Sequence, residues 1–270
     1  MNSALNAVRD INGRGMRTTL TFLNEHINDQ IKARYNANTY TQMARQISRL
    51  HLDSSISVRL SQLGYTLGSG SADRLLDGVL DAAKAGGSTV WLESGLGVTN
   101  DELIAVYKDR LSSYPDIGVE IPISYYSRMD GIARSIRQNS KIRVTSHSYM
   151  AENAKGSGRK AEKGMLDRYM AAISMLMKRS PKLCIHESND RLMARIASRS
   201  NGHKKDLTFG IPFGYSAHKM SRLVRMKVNL DVYVPYGKDW SAYAIYGLAS
   251  DRLKGIATTL LDGEKSDING

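Results

Sequence analysis

Cysteine is almost absent from this chain. The single thiol, Cys184, has no internal partner for a disulfide, so nothing in the 270 residues depends on an oxidising compartment. No Cys/His spacing suggests structural zinc, and no metal site is expected. Long apolar runs are missing as well: none approaches the ~18 residues of a membrane span. The N-terminus lacks the charged, apolar and small-residue segments of a secretory signal, and Asp10 interrupts the basic stretch Met1–Arg17, which argues against a transit peptide. A cytoplasmic setting is expected. Proline is scarce, with five residues, while 41% of the chain is hydrophobic, which describes an ordinary globular protein able to bury a sizeable core.

Positive charge, by contrast, is abundant and uneven. The net charge is +12, yet residues 132–230 hold 21 Lys/Arg against 6 Asp/Glu, so the rest of the chain is slightly acidic. A basic field of this kind attracts phosphates, whether in a dinucleotide cofactor, nucleic acid or anionic lipid. No RNA-recognition motif or aromatic-basic interleaving accompanies it, so nucleic acid is not the expected partner.

A short β-branched run followed by a polar break and an amphipathic stretch recurs along the sequence. The strand candidates are TTLTFL (18–23), SISVRL (55–60), STVWLE (88–93), GVEIPI (118–123), KIRVTS (141–146), KLCIH (182–186), LTFGI (207–211) and NLDVYVP (229–235). Between them lie helical patterns such as TYTQMARQISRL, ADRLLDGVLDAAKAG, DELIAVYKDRLSS, LDRYMAAISMLMKRS and DRLMARIASRS. Asn100–Asp101 and Asn189–Asp190 suit helix N-caps, and Gly86–Gly87 suits a stop. Alternation of strand and helix implies parallel pairing. A doubly wound open sheet also alternates, but it carries a glycine-rich turn after its first strand, and none follows TTLTFL. The expected architecture is therefore one α/β domain over 1–270, a (β/α)8 barrel of the TIM type. Residues 1–16 are read as a helical or flexible extension and 255–270 as a flexible tail. Chemistry is then sought at the C-terminal ends of the strands.

The strand ends carry a likeness in chain order. TLTFLNE resembles the TLDxLGE opening of proline dehydrogenases, SVRLSQLG their SVKLSQLG, IRVTSHSY their RLVKGAY, LCIHE their ATHD strand and VYVPYGKDWSAY their YVPYGxDWxxY. The resemblance runs from about Thr18 to Leu253. It implies a proline-dehydrogenase-like barrel with FAD across the mouth and a place in proline catabolism, taking a hydride from proline or a related cyclic amine and passing electrons to an unidentified acceptor. Arg143 matches the arginine near the flavin N5, His186 a histidine that touches the cofactor, and Tyr149 and Tyr233 the aromatic walls of the substrate. Arg59 stands where the family has lysine. Thr145, Ser146 and Cys184, on the same strands as Arg143 and His186, are expected with them to be cofactor-binding, and Arg159, Lys160 and Lys163 fall where the family presents cations to phosphates. Gly156–Gly158 suits a close phosphate approach.

The pattern also departs from the family. Tyr246 and Gly247 replace the arginine pair that binds the proline carboxylate, leaving Tyr246 as the substrate-side residue. Ser146, Ile123 and Trp91 stand for a lysine, a glutamine and an acid, while Thr208 and Gly210 stand for a carboxylate and an amide. A second reading is accordingly a non-catalytic barrel serving as a binding or assembly component, with a polyanion as a conceivable partner. A third is another reaction on a phosphate-bearing ligand. Glu25 and Glu93, at neighbouring strand ends, could form an acid/base pair, but with no metal motif or nucleophile beside them ion-pairing to Arg59 is expected, and the methionines 165, 170, 175 and 177 are expected to fill the outer packing.

Overall fold

The computed structural model describes residues 1–24, 27–68, 70–122, 125, 140–145, 159–179, 182–187, 190–200, 207–214 and 217–237. Eight parallel strands close into a barrel in simple sequential order. They are β1 (Arg17–Leu23), β2 (Ser54–Arg59), β3 (Val90–Glu93), β4 (Ile117–Pro122), β5 (Lys141–Thr145), β6 (Lys182–His186), β7 (Leu207–Pro212) and β8 (Asn229–Gly237). Closure comes from β8 against β1, in register from Arg17 opposite Asp231 to Leu23 opposite Gly237.

Around the barrel run α1 (Asn2–Gly13), α2 (Gln30–Arg49), α3 (Ser71–Ala85), α4 (Asn100–Arg110), α5 (Arg159–Arg179), α6 (Asp190–Arg199) and α7 (Ala217–Arg225). The first of these packs against β1 and β8, burying Ala4, Leu5 and Val8. In α2 the Asp29 side chain accepts the Lys32 amide at 2.8 Å. Thr99, rather than Asn100, caps α4: its hydroxyl accepts the Glu102 amide while the Glu102 carboxylate accepts the Thr99 amide, a reciprocal box that satisfies two otherwise orphaned donors. Arg110 ties α4 to α3 through Asp73 and Asp77. None of the described helices is long and apolar enough to cross a membrane.

Strand side chains alternate faces with a period of two, and here the alternation is chemical. Leu20, Ile56, Val58, Leu92, Val119, Ile142, Val144, Ile185, Phe209 and Val232 belong to the apolar shell packed under the helices. The residues between them are Thr19, Thr21, Ser55, Ser57, Trp91, Glu93, Glu120, Arg143, Cys184, His186, Asp231 and Tyr233. Hydrogen bonds and ring contacts join them across the barrel, so they point inward. Barrel interiors are usually filled by bulky branched residues. This one is polar and charged, which is tolerated only if every group finds a partner. On the predicted helix, Met170 is buried and Met175 and Met177 pack against the shell.

Candidate functional site

Arg143 on β5 is the centre of the interior. Its side chain has no exposure, and its guanidinium lies 4.3 Å from the centre of the Trp91 ring. Nη2 donates to Thr19 Oγ1 at 2.8 Å, and Nη1 donates to Ser57 Oγ at 3.1 Å and to Glu120 Oε2 at 3.4 Å. The Thr19 hydroxyl in turn donates to Asp231, with Oδ1 at 2.8 Å. Trp91 fits beside the arginine because Gly118 on the adjoining strand has no side chain: a Cβ there would fall inside the indole.

Glu93, at the end of β3, is the most heavily tied carboxylate. Arg59 Nε donates to Oε2 at 2.9 Å, the Tyr233 hydroxyl donates to Oε1 at 3.1 Å, the Ser57 hydroxyl donates to Oε1, and Arg143 Nη1 lies 3.8 Å away. Burial by itself would raise this carboxyl. The charges of Arg59 and Arg143 and the hydrogen bonds from Ser57 and Arg59 outweigh it and hold Glu93 below its ordinary range.

Glu120 responds in the opposite sense. Burial and the neighbouring Glu93 charge push it up to about 7, against the pull of Arg143 and Arg59. Its Oε2 sits between Arg143 Nη1 and His186 Nδ1, the latter at 3.6 Å. Asp231, deeper in the barrel, is also raised by burial, partly offset by Arg143 and Thr19. Burial lifts the Cys184 thiol to about 12, so this cysteine is a protonated, inert group beside Arg143.

His186 ends β6 and is buried, with its ring set edge-on to Tyr233 at 5.5 Å between centroids. It lies across Gly210 of β7, where a side chain would collide with the imidazole. Thr145 pairs in register with His186 and is partly exposed at the same end of the barrel.

Of the positions singled out in the sequence, Arg59, Arg143, Thr145, Cys184, His186 and Tyr233 line or rim this one interior. The expected pairing of Glu93 with Arg59 is present. Tyr149, Ser146, Tyr246, Gly156–Gly158 and the 255–270 tail lie outside the described residues, as do Glu25, Ile123 and Asn189. Arg159, Lys160 and Lys163 fall in α5, of whose side chains at those positions nothing is described. Sequence reasoning missed Glu120, Asp231, Thr19 and Ser57. Glu120, Asp231 and Ser57 each sit between apolar residues in a strand, as in V-E-I, L-D-V and I-S-V, and that interruption was the available signal; Thr19, next to Thr18, carried none. Among the described residues no cluster of three His, Cys, Asp or Glu is arranged to hold a metal ion.

No established family profile matches the chain. Among curated proteins, proline dehydrogenase 2 of Bacillus subtilis (strain 168) is 21% identical over 251 residues, covering 92% of this chain and 82% of its own length. Proline dehydrogenase 1 of Bacillus subtilis subsp. natto is 19% identical over 250 residues, covering 92% and 83%. Among solved structures, a bifunctional proline utilization A protein superposes with a TM-score of 0.70 at 17% identity, over 86% of this chain but 28% of its own. Proline utilization A from Corynebacterium freiburgense gives 0.72 at 10% identity, over 92% of this chain and 30% of its own. The chain thus spans under a third of those two proteins and most of the Bacillus enzymes. The chain is thus similar in sequence to the proline dehydrogenases across most of its length, and it shares its closed barrel with the two proline utilization A proteins.

Proposed function

We propose that this chain is an FAD-dependent oxidoreductase of the proline dehydrogenase type, removing a hydride from the carbon beside the nitrogen of proline or a related cyclic amine. The observation that carries the reading is convergence: Arg59, Arg143, His186 and Tyr233 come from four different strands and surround one interior at the C-terminal ends. The donor set suits a flat polar ring. The Thr145 hydroxyl and the His186 imidazole stand side by side in register on β5 and β6, with Tyr233 against the edge of the imidazole. These three residues would hold the ring, which when bound supplies the hydride acceptor. Arg143 would act from beneath as a fixed positive charge that needs no reorganisation, since its position is set by Thr19 and Ser57. Arg59 acts through Glu93, fixing the carboxylate that orients the Tyr233 hydroxyl. Electrons then leave to an acceptor of unassigned identity, in a cytoplasmic setting.

A second reading, a non-catalytic barrel that binds or assembles with a partner such as a polyanion, draws on one observation: both Nη atoms of Arg143 are committed to partners inside the lumen. Visible absorption separates the two. Flavin retained through native purification and released on denaturation supports the enzyme. A colourless protein that takes up no added FAD overturns it in favour of the second reading.

A further inference from the structure

We propose that the barrel mouth recognises a small amine as its ammonium cation, with no carboxylate attached, and that Glu120 is the residue that meets the nitrogen. The inference rests on the oxidoreductase reading and narrows its substrate class.

Charge balance is the first argument. Among the described residues the lumen holds three carboxyl groups, Glu93, Glu120 and Asp231, against two guanidinium groups, Arg59 and Arg143. Both guanidiniums face Glu93, at 2.9 and 3.8 Å, so that carboxylate is doubly answered. Glu120 receives a single 3.4 Å contact from Arg143 and stands 3.6 Å from His186 Nδ1. Among the described residues its second oxygen, Oε1, accepts no hydrogen bond. Its side chain is 18% exposed, against 9% for Glu93, so it is the carboxyl that a ligand reaches. An excess buried carboxyl must take up either a proton or a cation. A bound ammonium group satisfies it.

Exclusion of a ligand carboxylate is the second argument. A carboxylate entering here would compete with Glu93 for Arg59 and Arg143, and freeing either guanidinium leaves Glu93 buried beside less positive charge. The remaining described cations of the strands, Arg17, Lys141 and Lys182, sit at the opposite end of the barrel, Arg17 on Asp53 and Lys141 on Asp116 with Lys182 beside it in register. In the bound complex the ammonium N–H proton passes to the Glu120 carboxylate, giving a carboxylic acid and a neutral amine. That neutral amine is the form whose adjacent C–H can lose a hydride.

Calorimetric titration of the full-length, natively purified protein tests this with pyrrolidine, proline and cyclopentanecarboxylate as probes. Pyrrolidine is expected to bind at least about tenfold tighter than proline, cyclopentanecarboxylate not at all, and E120Q to weaken pyrrolidine binding by about tenfold or more while E120D retains most of it. Proline binding as tightly as pyrrolidine, no pyrrolidine binding, or an unchanged affinity in E120Q each overturns the proposal. If E120Q does not fold, the ranking of the three probes on the unaltered protein decides. Visible absorption of the same samples reads the flavin separately. A colourless protein that binds pyrrolidine through Glu120 keeps this inference and removes the oxidoreductase reading, whereas a yellow protein that prefers proline does the reverse.

Discussion

His186 occupies the space that a side chain on Gly210 would need: a Cβ on that glycine would lie 1.7 Å from the imidazole Cδ2. The two residues are paired in register on β6 and β7, so the imidazole fills the space beside the neighbouring backbone. The small residue on one strand and the large one on the next form a single packing unit.

Gly210→Ala should therefore destabilise the fold by about 1–3 kcal/mol, because the imidazole has to leave its place beside Tyr233. His186→Ala combined with Gly210→Ala should cost less than the sum of the two single changes, since the second methyl then enters vacated space. Urea denaturation of the four proteins measures the coupling, and additive effects would show that the ring and the glycine do not interact.

Arg143→Ala should cost about 3–5 kcal/mol of stability, because it leaves Glu93 and Glu120 buried without their shared cation. This differs from what a guanidinium at an open strand end would give, where removal would leave folding nearly untouched. Arg143→Lys should recover part of the loss, as one ammonium cannot serve Thr19, Ser57 and Glu120 together. Thermal melts of the three proteins check both statements.

Glu120 predicts a pH dependence of stability. Its carboxyl is held near 7 in the folded protein against an ordinary 4.5, so between those values the folded state keeps a proton that the unfolded chain has released. The stabilisation is complete below the lower value and is lost as pH rises through the upper one. Glu120→Gln should flatten this slope. Glu93 has the opposite sign, since its lowered carboxyl contributes stability at neutral pH that disappears on acidification. Urea midpoints at about pH 5 and about pH 8 compare the two proteins. An unchanged slope in the Gln variant would assign the proton elsewhere.

Tyr233→Phe removes the hydroxyl that donates to Glu93 at 3.1 Å and should cost about 1.5–3 kcal/mol, the range for a hydrogen bond to a charged group. The Phe variant should keep the aromatic wall, so ligand affinity should change less than stability. A larger fall in affinity than in stability would make the hydroxyl itself a ligand contact.

The barrel was legible because each strand is a run of β-branched residues with a polar break after it, and all eight runs became strands. Boundaries moved where tertiary pairing decided them. β8 continues past Pro235 to Gly237 because β1 pairs along its whole length, and β3 starts at Val90 instead of Ser88. Helix α2 begins at Gln30, nine residues ahead of the pattern at Thr39, since Asp29 caps it. The site was legible only in part. Arg59 and Glu93 are at neighbouring strand ends, and that adjacency follows from strand order alone. Glu120 and Asp231 each interrupt an apolar strand, and a lone acid in a strand looks the same in one dimension whether it meets solvent or a buried cation. Only closure of β8 onto β1 brings Asp231 to Thr19, and through it to Arg143.

The alternation of polar lumen and apolar shell separates two tasks that most enzymes entangle. Much of the cohesion of the scaffold comes from the apolar side chains beneath the helices, which point away from the lumen. The inward set can change where its buried charges stay balanced, while the outward set keeps the architecture standing. A chain built this way can drift far from its relatives in chemistry and remain superimposable on them.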